Sequence, residues 1–151
     1  MIEHKECIEI LKGWAETRGL EVCRGFGFDA YFHEEKHIVY NHKLRNKTNQ
    51  IYSLLHECGH AIAFNDKRSY KLNFPTLYKQ RFTDKKTSKR TNRYKMEIIF
   101  EEYDAWRRGY RLANKLGLDI DSDKYFAYAA RWVKTYTSND VGTYTYSDVE
   151  I

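Results

Sequence analysis

The sequence predicts an α+β domain. Four stretches carry apolar residues at helical spacing, and the segment between the first two is broken into short β-like runs. At 151 residues the chain has the size of one domain, spanning residues 1–151 and able to bury an ordinary core. No apolar run has transmembrane length, so no membrane role is expected. Cys7, Cys23 and Cys58 lack paired spacing, and the opening residues do not read as a signal peptide. A reducing cytoplasm is the compartment this implies.

Residues 2–17 form the first expected helix, with Ile8, Leu11, Trp14 and Ala15 on one face and Gly19 placed to stop it. From Leu20 to His42, Val22, Gly25, Gly27, Ala30, Phe32 and then Ile38-Val39-Tyr40 read as short strands. His33-Glu34-Glu35-Lys36 is the turn between them. A small antiparallel sheet is the expectation, feeding into a second helix over about residues 49–64. A long helix follows over 94–116, in which Met96, Ile99, Tyr103, Trp106, Tyr110 and Ala113 recur at three-and-four spacing. The last helix covers 122–136, with Tyr125, Ala129, Trp132, Val133 and Tyr136 on its apolar side and Asp121 or Ser122 capping its first turn. From about residue 137 the polar tail is expected to be loosely ordered.

Within the second helix lies His56-Glu57-Cys58-Gly59-His60. Positions four apart sit one turn apart on the same helical face, so both imidazoles can reach one metal ion. Glu57 projects beside the remaining coordination positions, where a zinc hydrolase needs a general base. Ile51, Leu55, Cys58 and Ile62 make a separate apolar stripe, which assigns Cys58 to packing rather than ligation. Gly59 removes a side chain where neighbouring chain can approach.

Catalytic zinc takes three protein ligands as a rule, and the long helix offers Glu97, Glu101, Glu102 and Asp104. Glu102 shares a narrow stripe with Ile98, Ala105, Gly109, Leu112 and Leu116, whereas Glu97 and Glu101 lie nearer Asp104 and Arg108 on what reads as a solvated face. A carboxylate on a packing face needs a partner, and zinc would be one. Glu102 is therefore the expected third ligand, Glu101 the runner-up, and Asp104 a possible acceptor for a ligand histidine N–H.

His56 and His60 together with a glutamate on a second helix resemble the gluzincin class of zinc peptidases. The run from Ile51 to Ala61 followed by Glu102-Tyr103-Asp104-Ala105-Trp106 is most similar to the small ImmA/IrrE-like metallopeptidases of bacteria, mobile elements and phages. The resemblance covers roughly residues 30–117. It implies a minimal zincin fold, with a small sheet beside the active-site helix and the third ligand in an E-x-x-A segment. Glu102 and Ala105 match that segment, although the asparagine that often follows is Trp106 here. In peptidases of this type a sheet edge pairs with the extended substrate, and residues 37–42 are the candidate edge, with hairpin packing as the alternative.

The connection between the two ligand segments is unusual. Residues 65–95 hold eleven Lys and Arg against Asp66 and Asp84, a charge of +9 where the whole chain is +5. Leu72, Phe74, Leu77, Tyr78 and Phe82 let its first half dock as a short helix beginning at Pro75, and residues 83–93 lack any hydrophobic side chain. This insertion can recruit an acidic protein substrate, contact nucleic-acid phosphates as a secondary possibility, or simply be solvated. Tyr103, Tyr110, His37 and His42 are candidates for a donor to the oxyanion that forms during hydrolysis.

The expected function is a zinc-dependent endopeptidase: Zn2+ held by His56, His60 and Glu102, with Glu57 as general base toward a metal-activated water. The alternative is a zinc-stabilised, non-catalytic module that binds nucleic acid or an acidic protein through residues 65–95.

Overall fold

A computed structural model describes residues 3–25 and 27–137. Among these residues the chain forms six helices and one three-stranded sheet, a mixed α+β arrangement. Helix α1 (His4–Thr17) buries Cys7, Ile8, Leu11 and Ala15. It ends at Gly19, whose φ of +70° suits the residue without a Cβ, and Leu20 N–H donates back to the Ala15 carbonyl.

The strands are β1 (Glu21–Gly25), β2 (Ala30–Phe32) and β3 (His37–Asn41). Their spatial order is β1-β3-β2, and β3 pairs parallel to β1 but antiparallel to β2. The sheet is therefore mixed, not the antiparallel one expected. After β1 the chain crosses to the far side before entering β2, and the hairpin through His33–Lys36 brings β3 back into the gap. Gly25 permits this closeness, because a Cβ there would lie 2.4 Å from Val39 Cγ1. Strand β3 is central, and His37, Ile38 and Val39 are paired on both sides, so this part of the candidate edge at residues 37–42 is already taken. The open edge near the candidate site belongs to β2.

Helix α2 (Lys47–Asn65) follows. Asn46 caps it by accepting from Asn49 N–H, a contact worth about 1 kcal/mol. Gln50 fixes the entry to this helix: its amide donates to the carbonyls of His42 and Leu44, and its oxygen meets His4 Nε2. Almost the whole of α2 is buried, the ligand motif included.

The basic insertion is more structured than its composition suggests. It forms α3 (Lys67–Asn73) and α4 (Pro75–Phe82), and only the stretch between α4 and the next helix lacks regular structure. Tyr70, Phe74 and Leu77 join Phe64 of α2 and Tyr94 and Ile98 of the long helix α5 (Asn92–Lys115) in a second apolar cluster. The main core lies between α1, the sheet, α2, α5 and α6 (Ser122–Thr135). Asp121 caps α6 by accepting from Lys124 N–H. The polar tail expected from about residue 137 lies outside the described residues beyond Thr137. No described helix is long and apolar enough to cross a membrane.

Candidate metal centre

Helices α2 and α5 meet through small residues. A Cβ on Gly59 would stand 1.9 Å from the Ala105 carbonyl oxygen, and one on Gly109 would stand 2.4 Å from the Leu55 carbonyl oxygen. The two backbones are in contact at both points, which only glycine allows. Tyr125 of α6 reinforces the crossing by donating its hydroxyl to the Trp106 carbonyl at 2.6 Å. Glu102, one turn before Ala105, is thereby carried over the histidine face of α2.

There the side chains converge. His56 Nε2 lies 3.0 Å from Glu102 Oε2, and His60 Nε2 lies 3.4 Å from Glu102 Oε1. Two ligand atoms on a tetrahedral zinc, with bonds of roughly 2.0–2.1 Å, are about 3.3 Å apart. Each histidine–glutamate distance is thus close to that between two neighbouring vertices around such an ion. Ligand atoms of His56, Glu57 and His60 also lie within 4.8 Å of one another, as do those of His60, Glu101 and Glu102.

Without an ion the donors satisfy each other. Burial opposes charging His56, but Glu102 and Glu57 outweigh it and raise its pKa to about 9. His60 is raised as well, against the same burial, chiefly by Glu102. Burial alone would push Glu102 up, yet the two imidazoles hold it well below the usual carboxylate range. A metal ion bound by these groups would have to displace the protons.

Glu101 and Glu102 divide clearly. Tyr70 donates its hydroxyl to Glu101 Oε2, and Arg81 Nη2 donates to Glu101 Oε1 at 2.8 Å. Both oxygens of Glu101 are already served by protein donors, whereas those of Glu102 face the imidazoles. Neither Glu101 nor Glu97 is solvated as the helical phase suggested; they are 2% and 3% exposed. The insertion covers them. Glu97 accepts from the backbone N–H groups of Thr76 and Leu77 at the start of α4, and from Arg93. The apolar stripe is displaced in turn: Met96 and Tyr103, expected inside, are among the exposed large hydrophobic side chains.

Glu57 is 2% exposed, with Oε1 lying 3.3 Å from His56 Nδ1 and making no hydrogen bond among the described residues. A buried carboxylate oxygen that lacks a hydrogen bond retains the capacity to accept one, from water for example. Trp106 stacks flat on the His56 ring, with centroids 4.1 Å apart and planes within 8°, fixing the imidazole plane. Cys58 points away into the core, fully buried, and burial pushes its thiol up.

The centre opens into a cleft of about 220 Å3 lined by Glu57, His60 and Glu102 together with Asp29, Tyr31, Arg81 and Tyr136. The four side chains expected to supply an oxyanion donor do not line it. His37 faces Glu21, His42 Nδ1 meets the Gly25 carbonyl, Tyr110 packs on Tyr125 and Phe126, and Tyr103 is exposed. Asp104 pairs with Arg108 at 2.7 Å rather than with a histidine of the cluster.

Sequence reasoning missed Tyr136 and Asp29. Burial pushes the Tyr136 phenol up, and Glu102, Glu57 and Glu101 push it further, so it stays protonated. Its place at the end of α6 is set by helix docking, which periodicity does not report. Asp29 accepts from Asn41 N–H at 2.7 Å and is 5% exposed. Burial, and to a lesser degree Glu57, raise its pKa to about 7. Compared with family models, with curated proteins and with solved structures, the chain matches none.

Proposed function

We propose that this chain is a zinc-dependent endopeptidase with a minimal zincin-like fold, related in kind to the ImmA/IrrE-like metallopeptidases its motifs resemble. The observation that carries the reading is the convergence of His56 Nε2 and His60 Nε2 on the two oxygens of Glu102, beside the buried carboxylate of Glu57. His56, His60 and Glu102 would hold the ion. When bound, zinc lowers the pKa of a coordinated water toward neutrality and polarises a carbonyl.

The protein's own groups do the rest. Glu57 accepts the proton of the attacking water and returns it to the leaving amine. Tyr136, kept protonated among carboxylates, donates a hydrogen bond toward the carbonyl oxygen as negative charge develops there. The open edge of β2, with Ala30 and Tyr31 lining the cleft, offers backbone groups to an extended peptide. A cytoplasmic protein substrate fits the unpaired cysteines.

A purely structural zinc site would close its fourth position with another histidine or cysteine. Among the described residues neither joins the His56–His60–Glu102 cluster, which favours a catalytic site over the non-catalytic module. The test is Glu57→Gln. Loaded with zinc, this variant is expected to retain one ion per chain and lose at least about a thousandfold in peptide cleavage relative to native protein. New termini in the proteome of expressing cells should depend on Glu57 in the same way. Equal cleavage by both chains contradicts the reading.

A further inference from the structure

We propose that Arg81 is the specificity residue of this cleft and binds a carboxylate of the peptide substrate, an inference that rests on the peptidase reading above. Among the described residues Arg81 is the one Lys or Arg that lines the cleft, although the insertion that supplies it is rich in both. Helix α4 carries it inward, and three neighbours hold its guanidinium. Glu101 accepts from Nη2 at 2.8 Å, Tyr70 locks the other Glu101 oxygen, and the Phe64 ring lies 5.6 Å from the guanidinium carbon.

The pairing is one-sided. The Glu101 side chain is 2% exposed while that of Arg81 is 38% exposed. Guanidinium carries five N–H donors in a rigid fork, and the described residues accept few of them. The remaining donors are on the side chain that lines the cleft. An arginine charged, oriented and braced in this way loses little conformational freedom when it takes a second, bidentate carboxylate. The cleft is below the roughly 300 Å3 at which pockets for drug-sized ligands begin, so it suits one side chain or chain end.

The carboxylate can come from an acidic side chain or from the C-terminus of the peptide; the acidic side chain matches an endopeptidase. Four hexapeptides distinguish them: Gly-Ala-Leu-Glu-Ala-Gly and Gly-Ala-Leu-Gln-Ala-Gly, each as free acid and as amide. Binding to the zinc-loaded Glu57→Gln chain is measured by calorimetry, which requires no turnover. The amidated glutamate peptide is expected to bind at least about tenfold tighter than the amidated glutamine peptide. Tighter binding of the glutamine free acid over its amide would assign the terminal carboxylate instead.

Adding Arg81→Gln should abolish the preference, bringing the two amidated peptides to equal affinity. Because this substitution strips Glu101 of its partner, Arg81→Gln with Glu101→Gln, folded by circular dichroism, serves as the second variant. Indifference of the Arg81-intact chain to the carboxylate, including no binding at all, overturns the proposal. So does a preference that survives both Arg81 variants, which would make the ion the recognising group. Carboxylate discrimination without cleavage by the native chain would leave Arg81 assigned and remove the peptidase reading.

Discussion

Asp29 shows how a single buried side chain makes this site sensitive to pH. Its carboxyl is neutral in the folded protein until about pH 7, whereas an unfolded aspartate ionises near pH 3.8. Between these values the folded state binds the extra proton, so stability falls as pH rises. The contribution is present in full below about pH 4 and lost by about pH 7. Its size is on the order of 4 kcal/mol. Asp29→Asn keeps an oxygen for Asn41 N–H and removes the titration. Urea unfolding of metal-free protein should therefore find the native chain losing stability relative to Asp29→Asn across pH 4–7, with the variant the more stable above pH 7. Parallel profiles would mean that Asp29 is ionised throughout. Residues such as this were illegible in the sequence, because an aspartate after two glycines looks like turn chemistry until β3 and α2 close over it. His56, Glu57 and His60 were legible because their relation is local, fixed by one turn of helix.

At the scale of elements, the crossing of α2 and α5 positions Glu102 against the two histidines. Gly59→Ala would drive a methyl group into the Ala105 carbonyl, a backbone atom that cannot swing aside. A loss of about 3 kcal/mol or more is expected in urea unfolding, with weakened metal binding. Gly13→Ala is the control: its Cβ meets nothing within 4 Å on α1, and it should stabilise by up to about 1 kcal/mol. If both substitutions behave alike, close helix approach does not set the site. The stripe of Ile98, Glu102, Ala105 and Gly109 predicted this crossing, since small residues and a lone carboxylate shared one face. The direction of the strands was not readable, because an alternating pattern is the same for parallel and antiparallel neighbours. Nor was the burial of Glu97 and Glu101, which depends on α3 and α4 folding over them from far along the chain. A row of carboxylates at 97 and 101, facing an insertion that holds both aromatics and arginines, was the available signal.

For the whole molecule, α2 contributes to both apolar clusters, one behind it and the other beneath the insertion, and carries His56 and His60 between them. An ion bound there ties α2 to α5 and should stabilise the fold by mass action. Removing it with a chelator is expected to lower the unfolding temperature by several degrees, reversibly on adding zinc. An unchanged melting curve would mean that no ion bridges the helices. The basic insertion now has a structural role, covering Glu97 and Glu101 and delivering Arg81, which its charge alone did not suggest.

The most direct test counts zinc per chain by elemental analysis after dialysis, with folding checked by circular dichroism. One ion is expected for the native chain, for Glu57→Gln and for Glu101→Gln, and none for His56→Ala, His60→Ala or Glu102→Ala. Retention of zinc by Glu102→Ala, or its loss from a folded Glu101→Gln chain alone, would contradict the assignment of the centre.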